Sequence, residues 1–361
     1  MKKKGTAIAV LTLMSIVSVW AIGAPPKNVI GYNRIEAPAD SDVLVSVPLN
    51  LNPVGTYTVV TKTGTGVTVA PGSFVDDAFN NDDHYARFAG GHWSTITAND
   101  PAELVLADLD ILSSVNVGDT FTVYPHQTLA AVFPKKLEQF AFIPSKDSSL
   151  GNRETEILMP SDADNTNKSP SATYYYIKWS HPTLGLIEGW RQSGASPLLD
   201  KGGVVIRPDS YIILRNSHAS RKLVFIVKGL VPMGKVATKV STKAVQYDLN
   251  FGTNRPVGVK IGQLGLEPVF AASATASLGD RKDELLVYNN ADGKKNKAPV
   301  ATYYYINWNH PTLGLIKGWR LSGVSPLIDQ GDVKLSPSQG LIIRKAAGTP
   351  APGYAVQNPL Y

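Results

Sequence analysis

Hydrophobic residues along the chain occur in short runs that alternate with polar positions and end at turn residues. Runs rich in β-branched and aromatic residues lie at 43–47, 57–60, 66–69, 104–106, 120–124 and 223–227. Apolar patterns with the 3.6-residue period of a helix are scarce, and one short apolar piece, 129–133, predicts a helical turn. The pattern therefore predicts an all-β protein built from short strands.

The most aromatic segment of the chain occurs twice. The sequence ATYYYIKWSHPTLGLIEGWR begins at Ala172, and ATYYYINWNHPTLGLIKGWR begins at Ala301, 129 residues later. Between 170–200 and 299–329, 24 of the 31 positions are identical. A repeat of this length predicts two related structural units.

The predicted unit boundaries follow from where the similarity starts and stops. Apolar positions 35, 43, 45 and 47 match 249, 257, 259 and 261 at an offset of 214, whereas the aromatic segments match at 129. The two offsets differ by 85 residues, which predicts a small β subdomain inserted in the first copy at about 51–125. Each unit is expected to be sandwich- or barrel-like. The predicted organisation is a first unit at 24–230, a linker at 231–240, a second unit at 241–346 and a C-terminal tail at 347–361.

The N-terminus has the layout of a secretory signal peptide. Three lysines at positions 2–4 precede an apolar run, and Ala21 and Gly23 are the small residues of a cleavage site. We therefore predict removal of 1–23 and export to the periplasm, the cell surface or the medium, with no membrane span afterwards. The alternative is an uncleaved anchor, for which the run is short because a span needs roughly 20 apolar residues.

Composition excludes several classes of function. The chain has no cysteine, which excludes disulfides and thiol catalysis. Its net charge of +6 includes the three lysines of the predicted signal peptide, so the remainder carries +3. The sequence has no basic stripe of the kind that nucleic-acid binding requires, and we expect no nucleic-acid partner.

The repeated segment predicts a hairpin whose first strand has two different faces. Side chains alternate along a strand, so Tyr175, Ile177 and Trp179 share one face, which is apolar in both copies and suits a core. Tyr174 and Tyr176 share the other face with position 178, where the second copy replaces lysine by asparagine, so this face is expected to meet water. Proline and glycine after position 181 predict a turn into a partner strand, with the tryptophan of GWR across from the tyrosines.

Two interpretations of this hairpin follow. Either its aromatic rings form the nucleus of each unit, or the rings and nearby polar groups form a carbohydrate-binding face. Sugar rings would stack on the aromatic residues in the second interpretation. The arginines would stack on the aromatic rings or pair with a carboxylate. Position 188, which is glutamate in one copy and lysine in the other, is expected to face solvent. The candidate ligand-binding residues are Tyr174, Tyr176, Trp190, Arg191, Tyr303, Tyr305, Trp319 and Arg320.

The sequence offers few other chemical motifs. Acidic loops at 76–84 and 161–165 contain oxygen ligands of the kind that bind Ca²⁺, but they match no defined calcium loop. Lys168 and Lys297 recur at the 129-residue offset and flank either a ligand or a turn. No nucleophile-elbow, zinc-protease or phosphate-loop motif occurs, so we expect no catalytic residue, no metal and no cofactor.

The order of several segments resembles that of a known family. An opening strand in GYNRIEAPADSDVLVSVPL is followed by GDTFTVYPHQTLAAVFP, ATYYY, GWR, YIILRN and LVFIVKGLVPMGKV, and then by a second, shortened copy. This order is similar to that of a secreted paralogous repeat family of Verrucomicrobia and related bacteria, whose function is uncharacterised. The resemblance implies export and a β-rich body, and it supplies no catalytic or binding residue.

These observations predict a secreted, non-enzymatic protein of the cell surface or extracellular matrix that acts by adhesion or assembly. Its expected partners are polysaccharides, envelope components or further copies of the chain. The alternative is a carbohydrate-binding protein that gains avidity from its two aromatic faces. A third hypothesis is a secreted hydrolase whose two carboxylates come from distant strands.

Overall fold

A computed structural model describes residues 29–134, 142–348 and 352–359. These residues form strands connected by turns, with a single α-helical turn and a few 3-10 turns, so the predicted all-β fold is confirmed. The predicted signal peptide, 1–23, lies outside the described residues. Within the described ranges, no helix has the length and apolar character needed to cross a membrane.

The strands fall into two units and one insertion. The first unit begins with β1 (Ile30–Ala37) and β2 (Ser41–Val45). The inserted strands are β3 (Gly55–Thr58), β4 (Thr61–Lys62), β5 (Gly66–Thr68), β6 (His84–Phe88), β7 (Trp93–Asn99), β8 (Glu103–Leu106) and β9 (Thr120–Pro125). The first unit resumes with β10 (Gln127–Thr128), α1 (Leu129–Val132), β11 (Thr155–Met159), β12 (Ala172–His181), β13 (Gly185–Gln192), β14 (Val205–Ile206), β15 (Ile212–Asn216) and β16 (Leu223–Leu230). The second unit contains β17 (Val236–Val240), β18 (Tyr247–Gly252), β19 (Val259–Lys260), β20 (Glu284–Val287), β21 (Ala301–His310), β22 (Gly314–Leu321), β23 (Lys334–Leu335), β24 (Gly340–Lys345) and β25 (Gly353–Gln357).

The first unit is built on a five-stranded antiparallel sheet in the order β13-β12-β11-β15-β2. The antiparallel ribbon of β1 and β16 and the helix α1 contribute side chains to the same buried cluster as one face of this sheet. Members of the cluster include Val43, Ile157, Trp190, Leu214 and Phe225. Burial of this apolar surface stabilises the unit by roughly 25 cal/mol per Å² removed from water.

The second unit repeats this plan. Its sheet has the order β18-β24-β20-β21-β22, and its ribbon is formed by β17 and β25. β17 lies within the predicted linker, 231–240, and β25 lies within the predicted tail, 347–361. Both of those predictions are wrong, because two short strands that pair across the whole length of a unit leave little local signal in the sequence.

The first strands of the two units match at a different offset from the predicted one. β1 and β2 correspond to β17 and β18 at an offset of 206, so that Asp42 matches Asp248. The predicted offset of 214 is wrong by eight residues. Eight is an even number, and an even shift keeps every side chain on its own face of a strand. The hydrophobic pattern alone therefore could not separate the two alignments.

The inserted strands form a seven-stranded sheet, in the order β3-β9-β6-β7-β8-β5-β4, with a core of its own. This sheet begins at Gly55 and ends at Pro125, close to the predicted limits of 51–125. It also contacts the second unit, where Lys239 of β17 pairs with Asp108 at 2.8 Å. The rings of His92 and Tyr354 meet edge to face beside this pair, with centroids 4.4 Å apart. The insertion thus packs against the ribbon of the other unit.

The two units face each other through polar contacts that begin at a buried carboxylate of the first unit. Arg215 donates two hydrogen bonds to Asp42, at 2.7 and 2.8 Å. Asn296, from the second unit, donates its backbone N–H to Asp42 at 2.8 Å and accepts a hydrogen bond from Arg215 at 2.7 Å. A loop of the second unit is therefore held by an ion pair of the first.

The same contacts occur with the units exchanged. Arg344 donates to Asp248 at 2.9 and 3.1 Å, and Asn167 of the first unit inserts between them in the same way. Both asparagines have positive φ, 51° and 50°, a conformation that asparagine tolerates better than most residues. We call these two sets, Asp42–Arg215–Asn296 and Asp248–Arg344–Asn167, the reciprocal contacts. They relate the two units by an approximate twofold axis.

Candidate functional site

The repeated hairpin is formed by β12 and β13 in the first unit and by β21 and β22 in the second. Trp190 lies directly opposite Tyr176, and their rings meet edge to face with centroids 5.6 Å apart. Trp319 and Tyr305 repeat this arrangement at 5.5 Å. The predicted position of the tryptophans, across from the tyrosines, is confirmed.

The predicted exposure of the tyrosine face is wrong. Tyr174 and Tyr176 are only 7% and 8% exposed, and Trp190 and Arg191 are 1% and 4% exposed. The same burial holds for the counterparts Tyr303, Tyr305, Trp319 and Arg320. A sugar ring stacks on an aromatic side chain only where the face of that side chain is open. The tyrosine and tryptophan rings of both hairpins therefore lie in the cores of the two units, where their faces are not open to a sugar ring.

Both faces of β12 are covered, which explains the error. On one face, Tyr174 and Tyr176 pack in the main core with Phe225 of the ribbon. On the other face, Tyr175 is buried beneath the guanidinium of Arg153, which lies 4.3 Å from the ring centroid. Because Tyr174, Tyr175 and Tyr176 are all buried, the predicted alternation between a solvent-exposed face and a buried face does not hold in this part of the strand.

The sequence patterns do not single out Arg153 or its counterpart Arg281. Arg281 lies 4.6 Å from the ring centroid of Tyr304, and both arginines donate to a serine hydroxyl after the hairpin, at 2.8 and 2.7 Å. The repeat does contain a sequence signal for them. Each arginine stands three residues before a glutamate, Glu156 or Glu284, and the two stretches match at an offset of 128. The arginines that stack on the rings are thus these two.

Arg191 and Arg320 take the other predicted role and pair with carboxylates. Arg191 Nη1 donates to Asp200 at 2.9 Å, and Arg320 Nη1 donates to Asp329 at 3.1 Å. Each Nε also donates to the carbonyl of a proline in the same loop. The two arginines therefore hold the loop that follows each hairpin against the edge strand.

The hydroxyls of Tyr176 and Tyr305, the tyrosines opposite the tryptophans, each donate to a glutamate. The glutamate stands at a different position in the two units. Tyr176 donates to Glu188 at 3.0 Å, whereas Tyr305 donates to Glu267 at 3.1 Å. Burial, and after it the neighbouring glutamate, raises the pKa of Tyr305 to about 12 and also raises the pKa of Tyr176, so both hydroxyls stay protonated. Glu188 is half-buried, contrary to prediction, whereas its counterpart Lys317 is exposed.

His181 and His310 organise the turn of each hairpin. His181 Nδ1 accepts hydrogen bonds from the backbone N–H groups of Thr183 and Leu184, both at 3.2 Å, and its ring meets Trp179 edge to face. His310 makes the equivalent contacts in the second unit. The histidine recurs because it satisfies turn N–H groups that have no strand partner.

Replacing both histidines by alanine (H181A with H310A) is expected to release these turn amides. A lost side-chain acceptor of this kind costs about 1 kcal/mol, so amide hydrogen exchange at Thr183 and Leu184 should become roughly fivefold faster. Global stability should change little, because the turn lies outside the core. The H181N and H310N pair is the matched control, since asparagine can also accept from the backbone two residues on. Unchanged exchange in the alanine variant would contradict the capping role.

The outer half of each hairpin is an open sheet edge. β13 and β22 are the last strands of their sheets. The loop after β13 covers only its inner half, where the N–H of Lys201 donates to the carbonyl of Trp190 at 2.9 Å, and the second unit repeats this contact. Within the described residues, no backbone hydrogen bond joins 185–187 or 314–316 to any strand other than β12 or β21.

Large apolar side chains lie on this open half in both units. Leu184 and Leu186 are 57% and 60% exposed, and Leu313 and Leu315 are 58% and 65% exposed. We call 182–188 and 311–317 the hairpin tips. The opposite edges, β2 and β18, are covered by the other unit through the reciprocal contacts. Each unit therefore has one protected edge and one open, leucine-bearing edge.

The side chains and carbonyl groups of the two acidic loops contact other protein groups. Asp83 of the acidic loop 76–84 contacts His84 at 2.5 Å. The loop 161–165 contacts the second unit, where Asn250 donates to the carbonyl of Ser161 at 3.0 Å. In the described part of the chain, no cluster of three or more histidines and carboxylates is arranged to hold a metal ion.

Comparison with known proteins gives no relative for this chain. No family model matches it, and neither the curated proteins nor the solved structures contain a significant match. The resemblance to a secreted repeat family therefore stays a prediction.

Proposed function

We propose that this chain is a secreted, non-enzymatic assembly protein of the cell surface or extracellular matrix, whose copies join through the hairpin tips. The observation that carries the proposal is the open sheet edge with exposed leucines, which occurs in the same place on both units. An unprotected edge presents free backbone N–H and C=O groups that a strand of another molecule can pair with.

The occupant that best fits each tip is the tip of another copy. The sequence HPTLGLI is the same in both units, so every copy presents the same backbone and the same leucines twice. Pairing two tips would satisfy the free backbone groups of both edges and bury leucines that now contact water. Proteins that stay monomeric usually protect such edges with proline, charge or a covering loop. Here proline and charge lie only at the two ends of each tip, and the loop after the hairpin stops short of it.

The charges favour contact between unlike tips. The first tip ends in Glu188 and the second in Lys317 at the equivalent position. Lys178 lies across the first hairpin from Glu188, whereas the neutral Asn307 lies across the second hairpin from Lys317, so the second tip carries the larger positive charge. Two second tips would therefore repel each other, whereas a first and a second tip place Lys317 near the carboxylate of Glu188. A contact between two different patches on identical molecules is heterologous, and where its rotation does not close a ring it propagates as an open chain. The proposed assembly is therefore a filament with one polarity.

Sedimentation velocity of the exported chain across a concentration series tests this proposal. The parent protein should grow beyond dimers as concentration rises. L186D and L315D should each stay monomeric, because every contact needs one tip of each kind. Mixing the two variants should restore one contact and give dimers that grow no further.

The matched control is V75D, which places a charge at a 77% exposed valine of the insertion and should assemble like the parent. Single-tip variants that dimerise alone would show like-to-like pairing and overturn the polarity of the filament. A parent protein that stays monomeric throughout the concentration series would overturn the assembly function itself.

A further inference from the structure

A cavity of about 500 Å³ lies between the two units, beside the reciprocal contacts. Its apolar walls come from the sheets of both units, with Leu44 and Ile213 on one side and Ile342 on the other. Its size lies in the range of small-molecule sites, which are typically about 300–1,000 Å³. The assembly function proposed above makes no use of this cavity.

Two lysines related by the approximate twofold axis line the cavity, one from each unit. Lys168 Nζ donates to the carbonyl of Ser161 at 3.1 Å, and Lys297 Nζ donates to the carbonyl of Asn289 at 2.8 Å. An ammonium group has three donors, so each lysine keeps donors for a further partner. Burial lowers the pKa of both lysines. Each ammonium is therefore partly removed from water and only partly satisfied.

Acidic residues lie near both lysines, but other cations engage them. In the described part of the chain, neither lysine has a carboxylate within ion-pair distance. Asp42 and Asp248 are engaged by the arginines of the reciprocal contacts. The remaining neighbours contact other basic side chains: Asp162 contacts Arg207, Asp164 contacts Lys243 and Asp292 contacts Lys294.

Two tyrosine hydroxyls add further donors. Tyr211 and Tyr288 line the same cavity, and among the described residues neither hydroxyl has a hydrogen-bond partner. Burial raises the pKa of Tyr288 to about 12, and it also raises the pKa of Tyr211, with Tyr288 as the next cause. Both hydroxyls therefore stay protonated and able to donate at neutral pH.

We propose that this cavity binds a small organic oxyanion, such as a carboxylated or phosphorylated sugar. Two ammonium groups and two hydroxyls supply donors, while the nearby carboxylate acceptors are already engaged, so the ligand must supply acceptor oxygens and negative charge. The volume and the apolar walls favour an organic body over a bare inorganic anion. The two lysines approach from different units, so a bound anion would also connect the units.

Isothermal titration calorimetry of the whole chain tests this proposal with four probes: D-glucuronate, glucose 6-phosphate, D-glucose and inorganic phosphate. At least one of the two anionic sugars should bind at least tenfold more tightly than glucose and more tightly than inorganic phosphate. A preference between the two would identify a carboxylate or a phosphate as the group recognised.

The variant K168M with K297M should weaken binding of the anionic sugar at least tenfold, because methionine keeps the apolar stem and removes both charges. The matched control K334M removes an exposed lysine of β23 and should bind like the parent. Y288F removes one hydroxyl donor and should weaken binding by a smaller factor. Absence of binding by both anionic sugars would overturn the proposal, as would equal binding of glucose, binding of inorganic phosphate as tightly as either sugar, or unchanged affinity in the double methionine variant.

Discussion

Replacing Lys345 by methionine is expected to destabilise the second unit by about 3–5 kcal/mol. The side chains of Lys345 and Asp283 are both fully buried and form an ion pair. Lys345 Nζ also donates to the carbonyl of Val269 at 2.8 Å, and Asp283 accepts the N–H groups of Ala271 and Ala346 at 2.7 and 2.8 Å. Methionine keeps the length of the side chain but leaves the Asp283 carboxylate buried without its cation.

The loss of stability in K345M should depend on pH, because burial shifts the pKa values of Asp283 and Lys345. Burial raises the pKa of Asp283 and lowers the pKa of Lys345, so both groups resist being charged in the interior. A carboxyl whose pKa is higher in the folded than in the unfolded state favours folding when it is protonated, and this contribution is lost as pH rises. The K345M variant should therefore lose least stability at acidic pH and most at neutral pH.

The first unit provides the control for this prediction, because it fills the same place without charges. Thr155 and Asn216 stand where the second unit has Asp283 and Lys345, and both are fully buried. The N–H of Ile143 donates to the hydroxyl of Thr155 as the equivalent N–H donates to Asp283. The double variant D283T with K345N should therefore recover most of the stability that K345M loses.

Urea unfolding together with hydrogen exchange at the amides of β20 and β24 would measure both variants. Exchange is needed because a chain with two units and an insertion need not unfold in one step. A K345M protein as stable as the parent at neutral pH would contradict the prediction.

Replacing Asp42 or Asp248 by alanine is expected to open the reciprocal contacts at a cost of about 2–3 kcal/mol each. Each carboxylate accepts two hydrogen bonds from its arginine and one from the asparagine of the other unit. The arginine side chains are 21% and 22% exposed, so water can partly replace the lost acceptor. The expected loss is therefore smaller than for the fully enclosed Lys345.

Hydrogen exchange at the backbone N–H groups of Asn167 and Asn296 would locate the opening. D42A should speed exchange at Asn296, and D248A should speed exchange at Asn167. D332A is the control, because Asp332 pairs with Lys260 at 2.6 Å but is 90% exposed, and such surface pairs contribute about 0–1 kcal/mol. Losses in D42A and D248A no larger than in D332A would show that the reciprocal contacts do not hold the units together.

Much of the fold could be predicted from the sequence because its signals are local. Short β-branched runs identify strands wherever they pair, and the repeat identifies two units without any knowledge of their structure. The limits of the insertion could be estimated because one copy contains residues that the other lacks. The linker and the tail could not be recognised as strands, because β17 and β25 are defined by pairing with each other.

The candidate site was harder to predict for a different physical reason. Tyrosine is as acceptable in a core as on a wet face, so Tyr174 and Tyr176 do not indicate which side of β12 is buried. Arg153 covers the second face from outside the hairpin, and its contact with Tyr175 depends on the tertiary fold. The exposed leucines of the tips are equally ambiguous in sequence, because a leucine in a strand is usually buried.

The reciprocal contacts also bear on how such a chain could arise. The second unit alone contains Asp248, Arg344 and Asn296, which are a carboxylate, an arginine and an inserting asparagine of the kind that the contacts require. Two identical units of this kind could therefore form the same contacts with each other across a true twofold axis. The present chain has the arrangement expected from gene duplication and fusion of a homodimer-forming ancestor. In the present chain, the insertion in the first unit makes the two halves unlike.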